Sequence, residues 1–167
     1  PQVFIHPDLF FLFIPTFIGI FFALMFVKPT LADDHVSIGP VLATINKFRA
    51  ANGLSTLIFH KDLSIAADLH ARDIATRRVL SHFSVKGWPV GQRVDNAGYK
   101  WRLIAENIAA GMADGVEAVA TWIKNRNHRR NMLIDGAVHF GIGYARSLSK
   151  KNGGFKHYWV LVIGAPK

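Results

Sequence analysis

Residues 9–27 form a run of 19 positions without a charged side chain, seven of them Phe. As an α-helix such a run is about 28 Å long, close to the hydrocarbon thickness of a bilayer. A helix on the surface of a small domain buries only one stripe, so a segment apolar on every side has no place in that kind of fold. Residues 1–32 are therefore read apart from the rest, as either a removed signal peptide or a retained membrane anchor. Thr30-Leu31-Ala32 places small residues at both positions that signal peptidase reads, which favours cleavage after Ala32. The length of the run, the interruption at Pro15 and the lack of a Lys or Arg ahead of it favour the anchor. Both readings place the remainder outside the cytoplasm: secreted, periplasmic, or tethered through residues 9–27. Residues 33–37 are a polar linker.

The chain of 167 residues, half of them apolar, leaves room after the linker for one domain, 38–167, and for no second. It contains no cysteine, which excludes disulfides, thiolate metal sites and a cysteine nucleophile. Lys and Arg number 20 against 11 Asp and Glu, a formal net charge of +9. Such a surface favours anionic partners. Behind an export segment these are anionic lipid and cell-envelope polyanions, and nucleic acid is not expected. General solubility is the plain alternative reading of the same charge.

The pattern of apolar residues predicts helices and a few strands. Val41, Leu42, Ile45 and Phe48 share one face of a helix that ends near Asn52-Gly53. A second helix starts at an Asp62 cap and carries Leu63, Ala66, Ala67, His70, Ala71 and Ile74 at helical spacing, its alanines suited to close packing on a sheet. Residues 87–99 read as a loop with a short helix over 91–97. A strand is expected over 105–111, followed by a helix opened by Asp114-Gly115-Val116-Glu117. In the next strand Phe140, Ile142 and Tyr144 alternate with Gly141, Gly143 and Ala145, so one face is bulky and the other admits close approach. A last strand covers 157–163, with a hairpin turn at Asn152-Gly153 before it. Helices before and between a few mainly antiparallel strands predict a three-layer α/β/α sandwich around a small central sheet.

Five short signatures occur in order: Leu80-Ser81-His82; Glu106-Asn107-Ile108; Trp122 followed by His128-Arg129-Arg130-Asn131-Met132-Leu133; Gly141-Ile142-Gly143-Tyr144-Ala145; and His157-Tyr158-Trp159-Val160-Leu161-Val162. Singly each is unspecific. Together they resemble the bacterial SCP-like branch of the CAP superfamily (cysteine-rich secretory proteins, antigen 5, pathogenesis-related proteins), over roughly 38–164. The resemblance implies the same α/β/α sandwich. It also implies a cleft lined by two histidines and two glutamates that can hold a divalent ion, and sterols, fatty acids or phospholipids as ligand classes. The missing cysteines depart from the animal and plant relatives.

Matched signature by signature, the resemblance assigns His82, Glu106 and His128 to that cleft as candidate metal ligands, with zinc the expected ion. The second glutamate has no counterpart; in many relatives it stands about three residues after the tryptophan, where this chain has Asn125. Glu117 reads as part of a helix cap. Two imidazoles and a carboxylate suit zinc and leave a coordination position for water. The competing reading is a hydrogen-bonded polar cluster in which Glu106 sets a histidine tautomer. No His-Glu-x-x-His helix or Gly-x-Ser-x-Gly elbow is present, and Ser81 and Ser84 assemble into no triad. The function these residues support is an exported binding or interaction module, with a divalent-metal-dependent, peptidase-like hydrolase as the alternative. His70 reads as a core histidine, Arg129 and Arg130 as solvated, Trp122 and Trp159 as core, and Trp88 and Trp101 as loop residues on a basic, aromatic rim suited to a membrane interface.

Overall fold

The computed structural model describes residues 37–148 and 154–167. The apolar run, the linker up to residue 36 and the Asn152-Gly153 turn lie outside them. In chain order the elements are α1 (Ile38–Ala50), β1 (Ile58–Phe59), α2 (Lys61–Arg77), α3 (Val90–Asn96), β2 (Trp101–Ala110), α4 (Gly115–Lys124), α5 (Arg126–Met132), β3 (His139–Arg146) and β4 (His157–Pro166).

The strands form one sheet in the order β1-β3-β4-β2. β4 runs antiparallel to both neighbours, and only the β1–β3 pair is parallel. β4 is central, and its alternation sorts side chains to two cores. Trp159, Leu161 and Ile163 pack with Val41 and Ile45 of α1 and Ala118, Val119 and Trp122 of α4. Tyr158, Val160 and Val162 pack with Leu63, Ala66, Ala67, Ala71 and Ile74 of α2 and Val94 of α3. Period-two alternation makes both faces of one strand apolar, and each face meets a helical layer. The result is the expected α/β/α sandwich.

β3 carries the tightest contact. Phe140 and Ile142 face the α1/α4 core, while Gly141 and Gly143 turn toward α2. A Cβ added at Gly141 would overlap the backbone of Leu63 and Ser64, and one at Gly143 that of Ala67 and Asp68. The helix lies directly on bare strand backbone, which is why its facing residues are alanines.

Several local expectations change. The N-cap of α2 is His60, not Asp62: the His60 Nδ1 accepts the Asp62 amide at 3.3 Å. β2 starts at Trp101 rather than residue 105, so Trp101 is a strand residue and not part of a loop rim. β1 and α5 carry no periodic apolar signal and were not anticipated. α4 begins as expected, with Asp114 accepting the amides of Val116 and Glu117 at 2.8 and 3.1 Å.

Candidate functional site

The signature residues meet along β2, an edge strand of the sheet. Neighbours on a strand point to opposite faces, and Glu106 and Asn107 do so. Glu106 turns to the side of α2 and α3, where it bonds to Arg93 of α3. Asn107 turns to the side of α5, where its Nδ2 donates to the carbonyl of His128 at 3.0 Å. Asn131 of α5 ties both together, its Nδ2 donating to the Glu106 carbonyl at 3.1 Å and to Asn107 Oδ1 at 2.9 Å. Elements from both layers thus converge around one edge.

At the centre His82 Nδ1 donates to Glu106 Oε1 at 2.8 Å, and Arg93 Nη2 donates to Glu106 Oε2 at 2.7 Å. The same Arg93 nitrogen reaches the carbonyl of His82 at 3.1 Å. The Glu106 side chain is 2% exposed and that of Arg93 6%, so this is a buried ion pair; the His82 side chain, 54% exposed, is its face to solvent. The bond from Glu106 pushes the His82 pKa up, since the carboxylate stabilises imidazolium, and burial only partly opposes this. For His128 the direction is down, first because it is half-buried and then because a charge on His82 disfavours a second one nearby. The charge on His82 thus reaches His128 as a repulsion.

Asn125, at the position of the unmatched glutamate, is the N-cap of α5: its Oδ1 accepts the amides of Asn127 and His128 at 3.0 and 3.1 Å. It thereby fixes the start of the helix that carries His128. Trp122 is fully buried and donates from Nε1 to the Ile108 carbonyl at 3.2 Å. His70 is a core histidine, with Nε2 donating to the Ser81 carbonyl at 2.8 Å. Ser81 Oγ accepts the Phe83 amide and Ser84 Oγ the Trp88 amide, so both hydroxyls are spent on turns.

The donor set can be tested against a divalent ion. Two neutral imidazoles suit zinc, but Glu106 has both oxygens engaged, one by a cationic guanidinium that repels a second cation. Among the described residues no group of three His, Asp or Glu side chains stands close enough together to hold a metal. Arg93, Asn107 and Asn131 were assigned no role from sequence. The two asparagines lie inside the signatures, which was the available signal; Arg93 lies in a segment with none.

Relatives share this framework. The chain is 28% identical over 133 residues to the uncharacterized membrane protein YlbC of Bacillus subtilis, covering 75% of this chain and 38% of that protein. It is 28% identical over 107 residues to the uncharacterized protein YkwD of the same organism, covering 64% and 42%. The chain thus spans well under half the length of these curated relatives. Among solved structures, an extracellular protein containing an SCP domain from Bacillus anthracis superposes with a TM-score of 0.65 at 24% identity, over 76% of this chain and 39% of that one. An outer surface protein from Borrelia burgdorferi does so with 0.67 at 18% identity, over 76% and 90%. These two likenesses concern the fold. Among the described residues no helix is long and apolar enough to cross a membrane. The profile of the cysteine-rich secretory protein family matches residues 42–163, most of the chain, and the chain belongs to that family, CAP.

Proposed function

We propose that this chain is a binding module exported to the cell envelope, where it docks on anionic lipid and catalyses no reaction. The observation that supports this most directly is the placement of its excess charge. Lys124 at the end of α4 and Arg126, Arg129 and Arg130 on α5 are all exposed, and none of the four has an ion-pair partner among the described residues. On other elements Asp68 pairs with Arg72, Asp73 with Arg77 and Glu106 with Arg93. Unpaired cations on one face attract an anionic surface, each contributing about 1 kcal/mol near a charged bilayer. Export itself is supported by the apolar run and by the extracellular and surface character of the structural relatives.

Vesicle flotation tests the reading, with a chain starting at Asp33 so that the apolar run plays no part. The protein is expected to float with vesicles containing phosphatidylglycerol, to stay behind with phosphatidylcholine alone, and to be released as salt rises from about 0.1 M to about 0.5 M. The variant carrying Arg126→Glu, Arg129→Glu and Arg130→Glu is expected not to float. Equal flotation of this variant with anionic vesicles would overturn the proposal.

The His82–Glu106–Arg93 cluster is, in this reading, a charge-balanced polar support for the β2 edge. Saturating zinc is then expected to leave the melting temperature unchanged. A rise with zinc that His128→Ala abolishes would point instead to a metal held by the two imidazoles. Chelator-sensitive peptide cleavage lost in Glu106→Gln would establish the hydrolase.

A further inference from the structure

Two of the five signatures, Gly141-Ile142-Gly143-Tyr144-Ala145 and His157-Tyr158-Trp159-Val160-Leu161-Val162, contribute nothing to the His82–Glu106–Arg93 cluster or to the basic face of α5. Folding pairs them as β3 and β4, with Tyr144 opposite Trp159. The two rings lie 4.6 Å apart, centroid to centroid, at 43°. Tyr144 also stacks on His157, at 5.9 Å and 23°, and its hydroxyl meets His157 Nδ1 at 2.8 Å. Three aromatic groups thus follow one another from the core, where Trp159 is 4% exposed, to the half-buried Tyr144 and His157.

This order suits the passage of a single oxidising equivalent. A chain without cysteine has no thiol to take one up, which leaves its indoles and phenols as the groups most easily oxidised. A phenol gives up an electron readily only if its proton leaves with it, and that requires a base within hydrogen-bond reach, about 2.6–3.2 Å. Of the three tyrosines, Tyr144 alone has, among the described residues, both an indole against its ring and a base on its hydroxyl. Tyr99 meets His139 Nδ1 at 2.8 Å, but the rings around it are those of His60 and His139. The Tyr158 hydroxyl is buried with no partner among the described residues, so its proton has nowhere to go. Trp159 has no base either: its Nε1 donates to the Met112 carbonyl at 2.8 Å, which holds the proton without taking it up. Nor is there room to oxygenate that indole, since a carbon added at Gly115 would stand 3.0 Å from its ring.

We propose that Trp159, Tyr144 and His157 form a relay that carries one-electron oxidising equivalents from the core to the surface. A peroxyl radical takes an electron from the Trp159 indole and a proton from water, and leaves as hydroperoxide and hydroxide. The indole radical cation then takes an electron from Tyr144, whose phenolic proton passes to His157 Nδ1. Trp159 is restored, and a neutral phenoxyl radical faces an imidazolium. An electron from a soluble reductant such as ascorbate, with the proton held on His157, returns the pair to phenol and imidazole. The relay uses neither the basic face nor the His82 cluster, so it stands apart from the lipid reading.

The test is pulse radiolysis of the full chain with azide radicals, which take one electron from indoles, followed by the decay of the indolyl absorption and the rise of the phenoxyl absorption. Conversion is expected at a rate independent of protein concentration. Tyr144→Phe is expected to lower the phenoxyl yield at least fivefold, while Tyr99→Phe and Tyr158→Phe leave it unchanged. His157→Gln keeps an acceptor for the hydroxyl but no base, and is expected to slow the conversion at least fivefold; heavy water is expected to slow the wild type. Should Tyr144→Phe melt below the wild type, the wild type is oxidised with a phenol label that couples to phenoxyl radicals, and its peptide map is expected to show the label on Tyr144. Wild-type phenoxyl yield in a stable Tyr144→Phe, label spread equally over Tyr99 and Tyr158, or a rate that grows with protein concentration overturns the relay. A rate unchanged both in His157→Gln and in heavy water overturns the proton step to His157.

Discussion

Glu106 shows what a single residue decides here. Its carboxylate is buried between an imidazole and a guanidinium, and without it Arg93 keeps a buried positive charge with no counter-ion. Removing one partner of a buried pair costs about 3 kcal/mol or more. Glu106→Ala is expected to lower stability by that amount in chemical denaturation, and a loss below about 1 kcal/mol would show that water reaches the pair. His70 sets a pH dependence. Its pKa is lowered in the folded chain by burial and by Arg93, so as pH falls through about 6.5 the unfolded chain takes up the proton first. Its share of stability is complete above that pH and is lost as pH drops toward the folded pKa. His128 and His139, also lowered by burial, act with the same sign. His82 acts oppositely, its stabilisation being present below about 6.5 and lost as pH rises through its raised pKa. The denaturation midpoint is expected to fall between about pH 7 and pH 5.5, and His70→Gln to shrink that fall; an unchanged fall would assign it to the other histidines. Of these residues His82 and Glu106 were legible from their signatures. Arg93 was not, since nothing local marks an arginine that will be buried by a strand thirteen positions on.

Among the elements, α2 and β3 depend on each other most closely. Because a Cβ at Gly143 would overlap the backbone of α2, Gly143→Ala is expected to cost about 3 kcal/mol. At Gly39 nothing lies within 4 Å of the added carbon, and Gly39→Ala is expected to stay within about 0.5 kcal/mol. Thermal melting of the two variants side by side checks this, and equal melting temperatures would refute the close packing. The alternation of small and bulky residues on β3 and the alanines of α2 made this contact readable in advance. α5 was not readable, because of Arg126–Met132 only Met132 is buried. Its start depends on Asn125, whose side chain caps two amides, and asparagine is equally at home in a loop. β1, two exposed residues long, is a strand only because β3 offers it a partner.

For the whole molecule the governing quantity is where charge goes unpaired. Composition shows the excess of positive charge but not its location, and folding gathers part of it, Lys124, Arg126, Arg129 and Arg130, at the end of α4 and on α5. The salt-dependent release from anionic vesicles proposed above belongs to this scale, since screening acts on the whole face and not on one contact. By itself the order of residues determined the layers, the helices and strands with a clear period, the family, and His82, Glu106 and His128 as candidates for one site. These follow from side chains repeating at 3.6 or 2 positions and from signatures that survive without any knowledge of distance. Only the tertiary structure decided that Arg93 shares the carboxylate and that Asn107 and Asn131 lace β2 to α5. Each of these joins residues from different elements, and no local pattern encodes which of many buried polar groups will become neighbours once the core closes.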